Sequence, residues 1–307
     1  MSSQSPSQSK VAGKKILITG ATGKQGGAVI DALRSSSTPF QILALTRNAS
    51  SPKARTLASE PNVTVVEGDS TNPAPIFEKH RPIHGVFSVT AMKKPGDEEK
   101  QAMPLIDEAI KNNVEHFVFT SVDRGGPGRS EQNPTNIPHF LSKHNIEEHL
   151  KSQIAAKKSN MQYTILRPVA FMDNLTPDFM GKGFASMWAG LGDKPLQLIA
   201  THDIGLFAAR AFENPAAYKN KAVSLAGDEL TLAQGKKVFK DTLGYDMPET
   251  FGFVGSGIKF MVKEMSTMFR WFKDEGYGAD IPALKKEEPR LQNFSTWLTE
   301  TSRFKKQ

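Results

Sequence analysis

The sequence predicts an α/β protein with a doubly wound, parallel Rossmann-type sheet and a smaller, α-rich C-terminal lobe. Short apolar runs alternate with helical patterns through the first half of the chain. A glycine-rich turn, in ILITGATGKQGGAVI (residues 16–30), joins the first strand pattern to the first helix pattern. After about Pro168 the regular alternation ends. Short apolar strands separated by helices are typical of a parallel sheet that is covered on both faces.

The elements follow from hydrophobic periodicity, taken along the chain. The pattern predicts strands at 15–19, 41–46, 62–67, 85–90, 116–121, 162–166 and 222–225. It predicts helices at 27–33, 101–111, 142–151, 204–212, 232–243, 258–272 and 294–304. Thr231 is the predicted N-cap of the helix at 232–243, and Asp203 that of the helix at 204–212. The loop GGPGRSEQNPTNIP before His139 is expected to be mobile because it is rich in glycine and proline.

Composition excludes several classes of function. The 307 residues contain no cysteine, which excludes disulfides, thiolate nucleophiles and cysteine-ligated zinc. The histidines lack metal-binding spacing, so we predict no metal. The net charge of +7 comes from scattered basic residues without a zinc-finger or basic-zipper pattern. We therefore expect a small anionic ligand and no direct contact with nucleic acid.

No apolar run approaches the ~18 residues of a membrane helix, and the N-terminus has no apolar signal core. We expect no membrane contact and a cytoplasmic location, with the nucleus as a second one. Residues 1–13 are predicted to form a disordered polar tail. The oligomeric state is open, and a homodimer is one expectation.

The glycine turn has the spacing Gly20-x-x-Gly23-x-x-Gly26, which is neither G-x-G-x-x-G nor a P-loop. Gly20 permits the tight turn, Gly23 lets backbone N–H groups approach a phosphate, and Gly26 lets the helix pack against the strand. A pyrophosphate at the helix N-terminus would meet unpaired N–H groups and the positive end of the helix dipole. The alternative is a turn that is merely tight.

The second predicted strand indicates which dinucleotide binds. It ends in Thr46-Arg47-Asn48, and the segment that follows contains no carboxylate to repel a 2′-phosphate. The planar guanidinium of Arg47 suits that phosphate, which favours NADP(H) over NAD(H). Alternatively, Arg47 is a solvated surface residue. Asp69, after the third strand, either meets the adenine amine or caps the next helix.

Five motifs in this order, GATGKQGG, LTRNASS, EGDS, SKHNIEEHL and TILRPVAFMDNL, resemble the NmrA-like family of atypical short-chain dehydrogenases. The resemblance covers about residues 14–230 well and the C-terminal lobe loosely. The family includes NADPH-dependent reductases of quinones and dyes, and also regulators that bind NADP(H) and control protein partners. The change of pattern after Pro168 predicts a Rossmann domain at 14–174 and 201–226 and a C-terminal lobe at 175–200 and 227–307. The resemblance implies that the first binds NADP and that the second contacts a substrate or partner.

The resemblance also implies the cofactor-binding residues. They are Gly20, Ala21, Thr22, Gly23, Lys24, Gln25 and Gly26 at the pyrophosphate; Arg47, Asn48 and Ser51 at the 2′-phosphate; Asp69 and Ser70 at the adenine; Thr90, Ala91 and Met92 near the nicotinamide half; Lys100 and Lys143 at phosphate or ribose oxygens; and Pro168, Val169, Ala170 and Phe171 facing the nicotinamide.

Ordinary short-chain dehydrogenases combine a serine with Tyr-x-x-x-Lys, where the lysine lowers the pKa of the tyrosine. Lys143 matches the lysine and Ser121 the serine, but His139 stands where the tyrosine would be. We propose two catalytic candidates: His139 as a general acid, and Lys143 as a ribose-binding and charge-stabilising cation. Alternatively, Lys143 only clamps the cofactor and His139 is a loop residue.

Two functions follow from these residues. In the first, the protein passes a hydride from NADPH to a flat apolar acceptor, such as a quinone or conjugated carbonyl, which needs little acid catalysis. The Met- and aromatic-rich segment 171–188 either lines that acceptor pocket or forms the core of the lobe. In the second, the protein is a non-catalytic redox sensor that binds NADP(H) and regulates a transcription factor or other protein.

Overall fold

A computed structural model of the chain describes residues 13–92, 94–248 and 259–306. The predicted tail at 1–13 therefore lies almost wholly outside the described residues. The strands are β1 (Lys14–Ile18), β2 (Phe40–Thr46), β3 (Val63–Glu67), β4 (Gly85–Ser88), β5 (His116–Thr120), β6 (Gln162–Pro168), β7 (Ala170–Phe171), β8 (Leu196–Ile199), β9 (Lys221–Leu225) and β10 (Asp228–Leu230).

The helices lie between and after these strands. They are α1 (Lys24–Arg34), α2 (Pro52–Ala58), α3 (Ala74–His80), α4 (Asp97–Lys111), α5 (Pro127–Gln132), α6 (Pro138–Ala156), α7 (Phe179–Ala189), α8 (Thr201–Glu213), α9 (Pro215–Tyr218), α10 (Leu232–Leu243), α11 (Lys259–Asp274), α12 (Ile281–Glu287) and α13 (Phe294–Glu300).

The main sheet confirms the predicted fold class. The described residues form a seven-stranded sheet in the order β3-β2-β1-β4-β5-β6-β9, and each neighbouring pair is parallel. The strand order reverses between β1 and β4, and doubly wound proteins bind ligands at that switch point. Helices α1 and α8 bury their apolar residues against one face, while α3, α4 and α6 bury theirs against the other.

A second apolar core lies under the C-terminal helices. It joins aromatic side chains of α7, α10, α11 and α13, including Trp188, Phe239 and Trp297. A small sheet of order β10-β8-β7 borders it. Val122, Ile137 and Phe140 also belong to this core although they lie outside the predicted lobe. The second core thus includes residues from the predicted Rossmann domain, and the boundary between domain and lobe stays a prediction.

Two local expectations differ from the structure. The loop expected to be mobile contains α5, and Arg124 donates hydrogen bonds to the carbonyl oxygens of Ser130 (2.6 Å) and Asn133 (2.9 Å). Asp203 does not cap α8, because that helix begins at Thr201 and Asp203 is fully buried in its first turn. The expected cap at Thr231 is confirmed, with a capping box that includes Gln234.

Within the described residues, no helix has both the length and the apolar character needed to cross a membrane.

One carboxylate, Glu147, joins two arginines in the interior. Its oxygens accept hydrogen bonds from Arg124 at 2.9 and 3.1 Å, and from Arg167 Nε at 3.1 Å. All three side chains are fully buried. Burial by itself raises the pKa of Glu147, but the hydrogen bonds from Arg167 and Arg124 outweigh it and lower the pKa to about 2. This cluster fixes the chain after β5 against α6 and β6.

A buried histidine makes the stability of this fold depend on pH. Burial, with a smaller contribution from Lys14, lowers the pKa of His116 to about 4. Between pH 6.5 and 4 the His116 imidazole is protonated in the unfolded chain but neutral in the folded chain, so a fall in pH lowers the free energy of unfolding. The shift of the His116 pKa from 6.5 to about 4 corresponds to a change of about 3 kcal/mol in the free energy of unfolding. We expect the free-energy advantage of the wild type over His116→Gln to shrink by about this amount between pH 7 and 4.

Denaturant titrations of both proteins at several pH values would measure this advantage. An advantage that stays constant with pH would show that His116 does not remain neutral in the folded state.

Candidate functional site

A cleft of about 630 Å³ opens at the switch point of the main sheet. This volume falls in the range of about 300–1,000 Å³ that is common for small-molecule and cofactor sites. Residues from the turn after β1, the loop after β2, the segment after β3 and the start of α4 surround it. The predicted residues that line it are Gly20, Thr22, Gly23, Lys24, Gln25, Gly26, Arg47, Asn48, Ser51, Asp69, Ser70, Thr90, Ala91, Lys100 and Phe171.

The turn after β1 is tight enough to require glycine at two positions. Gly20 has a φ of +59°, in the left-handed region. A Cβ on Gly26 would lie 2.3 Å from the carbonyl oxygen of Gly20. Gly26 therefore lets α1 approach the turn itself, whereas the sequence suggested an approach to the strand. Gly23 is the N-cap residue of α1, and no side chain caps the helix there. The first N–H groups of α1 are thus left for a ligand.

The loop after β2 carries the cation predicted to bind the 2′-phosphate. Arg47 lines the cleft and is exposed, and no hydrogen bond or ion pair engages its guanidinium among the residues that the structure describes. Asn48 shapes the loop, since its Oδ1 accepts hydrogen bonds from the Ser50 N–H (2.9 Å) and hydroxyl (2.7 Å). Ser51 caps α2 by accepting a hydrogen bond from the Ala54 N–H. The loop is therefore ordered by its own side chains.

A carboxylate does stand beside this loop, contrary to the impression from the sequence segment alone. Glu67, the last residue of β3, accepts a hydrogen bond from the Ala49 N–H at 2.8 Å. The parallel pairing of β2 with β3 aligns Glu67 with Thr46 and so brings it to the loop. Glu67 follows Arg47 by 20 residues in the chain, so a short sequence segment around Arg47 does not include it.

Asp69 lines the cleft but does not cap the next helix. Its Oδ1 accepts a hydrogen bond from the Thr71 N–H at 2.9 Å, which closes a local turn. The N-cap residue of α3 is Pro73. Of the two roles considered for Asp69, only the one at the cleft is compatible with this geometry, and contact with adenine remains a prediction.

Among the residues that the structure describes, three cations face the cleft: Lys24, Arg47 and Lys100. The Lys24 ammonium donates a hydrogen bond to the Asp173 carbonyl oxygen at 2.7 Å, across the cleft from α1. Lys100 is exposed in the first turns of α4. The cleft also carries Asp69 and Asp97, and Asp97 is engaged by the Lys94 N–H at 2.9 Å. This arrangement suits a ligand with several negative charges.

A polar network closes the other end of the cleft. Lys143 on α6 donates hydrogen bonds to Thr90 Oγ1 (2.6 Å) and the Thr120 carbonyl oxygen (3.2 Å). Its ammonium also pairs with Glu98 at 3.1 Å. The Thr90 hydroxyl donates to Glu98 Oε1 at 2.7 Å, and the Thr120 hydroxyl donates to Gln25 at 2.8 Å. The network thus connects α1, α4 and α6 through the ends of β4 and β5.

Lys143 is buried and does not line the cleft, whereas its partner Thr90 does. An ammonium has three donors, and its three oxygen partners here can accept all of them. Glu98 is also buried, and its Oε2 has no hydrogen-bond partner among the described residues. Lys143 therefore connects α6 to the ends of β4 and β5 beneath the cleft lining. It could contact a ligand only by giving up one of its three oxygen partners.

His139 and Ser121 do not line the cleft. The His139 ring lies edge-on to Phe140, with 4.6 Å between ring centroids, and Phe140 belongs to the second core. The Ser121 hydroxyl donates a hydrogen bond to the buried Glu147. The family serine position is thus part of the arginine–carboxylate cluster. A catalytic role for His139 stays a prediction.

Other predicted residues lie in the core beside the cleft. Ala21 and Val169 belong to the main core, and Ala170 to the second core. Pro168 is buried at the end of β6, and Met92 is half-buried without lining the cleft. Their assignment to the cofactor stays a prediction. In segment 171–188, Phe184 and Trp188 are core residues, while Phe171 lines the cleft.

Several residues of the cleft were not found from sequence. Gln101 holds the chain after β4, because its side chain donates to the Ala91 carbonyl oxygen (2.7 Å) and accepts from the Ala91 N–H (3.2 Å). Glu98, which is buried beside the cleft and pairs with Lys143 without lining the cleft, also carries no motif. Thr201 begins α8 after a short strand that periodicity did not identify. The remaining lining residues are Thr19, Leu45, Thr46, Gly68, Thr71, Val89 and Asp97.

Within the described ranges, no group of three or more His, Asp or Glu side chains is placed to hold a metal ion.

Comparison with known proteins agrees with this architecture. Residues 12–298 match the NmrA-like family. An NmrA-like family domain-containing protein of Dictyostelium discoideum is 25% identical over 303 residues, which cover 93% of this chain and 97% of that protein. Quinone oxidoreductase 2 of Escherichia coli is 25% identical over 238 residues, covering 73% of this chain and 76% of that enzyme.

A solved structure has the same fold. The crystal structure of NmrA, a negative transcriptional regulator in complex with NADP, superposes with a TM-score of 0.69 at 16% identity. The superposition covers 94% of this chain and 95% of NmrA. At this identity the likeness supports the fold alone.

Proposed function

The chain belongs to the NmrA-like family, and on this premise we propose that it binds NADP(H) in the cleft and reduces a flat apolar acceptor. The acceptor class is a quinone or conjugated carbonyl. One observation carries the cofactor part: a glycine turn with an uncapped helix N-terminus shares one cleft with the exposed guanidinium of Arg47. A helix N-terminus suits a pyrophosphate, and a planar guanidinium suits a 2′-phosphate.

The residues at the switch point fit such a cofactor. Gly20 and Gly26 allow the tight packing of the turn against Val89 and α1. This packing leaves the uncapped N–H groups of α1 at the cleft, where a pyrophosphate can approach them. Arg47 supplies a planar guanidinium for the 2′-phosphate, and Lys100 adds a second exposed cation. Gln101 holds the Ala91 backbone at the other side of the cleft. When bound, NADPH supplies a hydride.

Arg47 is expected to determine the preference for NADP(H). Replacing it with alanine should weaken NADP⁺ binding about ten- to a hundredfold and leave NAD⁺ binding unchanged, because a charge-assisted hydrogen bond is lost. Titration calorimetry with both dinucleotides measures the ratio. The matched control is Arg55→Ala, which removes an exposed arginine of α2 that does not line the cleft. An unchanged ratio in Arg47→Ala would contradict the assignment.

The acceptor reaction is tested by turnover. The purified protein is mixed with NADPH and a panel of quinones, dyes and enones, and nicotinamide absorbance is followed. Consumption of NADPH that depends on both acceptor and protein supports the reductase. Tight binding of NADPH with no acceptor consumed rejects it.

Lys143 is expected to support this turnover, and two variants separate its possible roles. Lys143→Met should abolish turnover. It also leaves the Glu98 carboxylate buried without its cation. The double variant Lys143→Met/Glu98→Gln removes both charges. If turnover stays absent in the double variant, the Lys143 charge serves the reaction. If turnover returns, Lys143 only neutralises Glu98.

A second function, a redox sensor that regulates a protein partner, has its own support. His139, which replaces the tyrosine of ordinary short-chain dehydrogenases, does not line the cleft. The ammonium of Lys143 already has three oxygen partners. Such a site suits binding more than proton transfer. A pull-down whose partner changes between NADP⁺ and NADPH, together with no turnover, would favour the sensor.

A further inference from the structure

The loop after β2 leaves few backbone donors for a phosphate. The N–H groups of Asn48, Ala49, Ser50 and Ser51 all donate to oxygens within the protein, at 3.3, 2.8, 2.9 and 3.4 Å. Three of these bonds end on Thr46 or Asn48, and the fourth goes to Glu67. Recognition of a 2′-phosphate by this loop therefore depends on side chains, and Arg47 is the cation that the loop contributes to the cleft lining.

Glu67 introduces a charge of the opposite sign at the same loop. Its side chain is exposed, and among the residues that the structure describes no lysine or arginine forms an ion pair with it. Its Oε2 lies 2.8 Å from the Ala49 nitrogen, two residues after Arg47. The loop thus lies between one guanidinium that faces the cleft and one carboxylate that no cation neutralises.

These two charges act differently on the two dinucleotides. A 2′-phosphate carries between one and two negative charges, so a nearby carboxylate repels it and a guanidinium attracts it. A ribose 2′-hydroxyl is neutral and donates a hydrogen bond that a carboxylate accepts. In common NAD-binding domains an acidic residue about 20 positions after the glycine turn performs this task. Here Glu67 stands on the neighbouring strand, β3, outside the cleft lining, so its charge acts on the ligand through the loop and not by direct contact.

We propose that Glu67 is a specificity-determining residue that opposes Arg47 and limits the preference for NADP(H) over NAD(H). The inference rests on the proposed binding of NADP(H) in the cleft. It predicts that the protein binds both dinucleotides, with a ratio set by two opposed charges on one loop.

The test compares Glu67→Gln with Glu67→Ala by measuring the dissociation constants of NADP⁺ and NAD⁺ at low salt. Glutamine keeps an oxygen that accepts from the Ala49 N–H but removes the charge. We expect Glu67→Gln to raise the NADP⁺ preference about three- to tenfold, and less at high salt. Glu67→Ala should raise it similarly while weakening both ligands, because the loop loses its tether.

The matched control is Glu60→Gln, which also removes one carboxylate. Glu60 precedes the amino end of β3, whereas Glu67 lies at the carboxyl end of the same strand, and Glu60 pairs with Arg34. It should leave the ratio unchanged. Thermal unfolding followed by circular dichroism checks that each variant is folded.

Three outcomes would overturn the inference. An unchanged ratio in Glu67→Gln, while the wild type binds NADP⁺, rejects the role of Glu67 and leaves the proposed function standing. A change in Glu67→Ala alone shows that Glu67 only tethers the loop. If the wild type binds neither dinucleotide, both the proposed function and this inference fail.

Discussion

Replacing Glu147 with alanine is expected to lower the free energy of unfolding by about 3–5 kcal/mol, because two buried arginines lose their shared carboxylate. Arg124 and Arg167 are both fully buried, and each forms two hydrogen bonds with Glu147. The loss is a large fraction of the ~5–15 kcal/mol that stabilises a typical domain. Chemical denaturation of wild type and variant measures it.

Glu131→Ala is the control for this prediction. Glu131 also pairs with Arg167, at 2.8 Å, but its side chain is 40% exposed. Its removal should cost about 1 kcal/mol, because Glu131 is partly solvated and Arg167 keeps its bonds to Glu147. Equal losses in the two variants would show that burial of Glu147 is not what matters.

The Glu147 contribution should also depend on pH. Its pKa of about 2 lies below the usual value of 4.5, so the stabilisation is complete above pH 4.5 and is lost as pH falls toward 2. The difference between wild type and Glu147→Ala should therefore narrow in acid.

Gly26→Ala is expected to weaken NADP⁺ binding about ten- to a hundredfold, equivalent to the loss of one or two good hydrogen bonds. The new Cβ would lie 2.3 Å from the Gly20 carbonyl oxygen and 2.9 Å from the Ala21 nitrogen. Either the turn or α1 must move, and the N–H groups that would meet the pyrophosphate move with them. Calorimetric titration with NADP⁺ measures the effect.

The neighbouring glycine provides a matched control. A Cβ on Gly27 would lie 3.9 Å from the Ala21 carbonyl oxygen, an ordinary contact. Gly27→Ala should bind NADP⁺ normally and be more stable by about 0.5–1 kcal/mol, since alanine favours the helix. If both variants bind equally well, the close approach at Gly26 does not shape the site.

Local patterns were sufficient to predict most of the Rossmann portion. The strands β1 to β6 and β9 lie within two residues of their predicted bounds, because an apolar run between polar turns carries its own signal. The short strands β7, β8 and β10 were missed, since runs of two to four residues carry little periodicity. Helix α5 lies in a segment predicted to be a mobile loop, because the glycine and proline content of that segment is typical of turns.

Local patterns likewise mark only some residues of the candidate site. The glycine turn and Arg47 stand out in sequence because each follows a predicted strand at the expected interval. Gln101 and Glu98 carry no such signal, and Lys143 was assigned to the cofactor while the structure places it behind the cleft lining. A side chain's position in a motif does not show which partners already occupy it.

The class of fold, the position of the glycine turn and the family resemblance follow from the amino-acid sequence alone, because these depend on residues close together in the chain. Tertiary structure decided which charges meet. Glu67 contacts Ala49 across 18 residues, Lys143 contacts Thr90 across 53, and Thr120 contacts Gln25 across 95. Such pairings depend on the order of the strands in the sheet, which brings the carboxyl ends of distant segments to one edge.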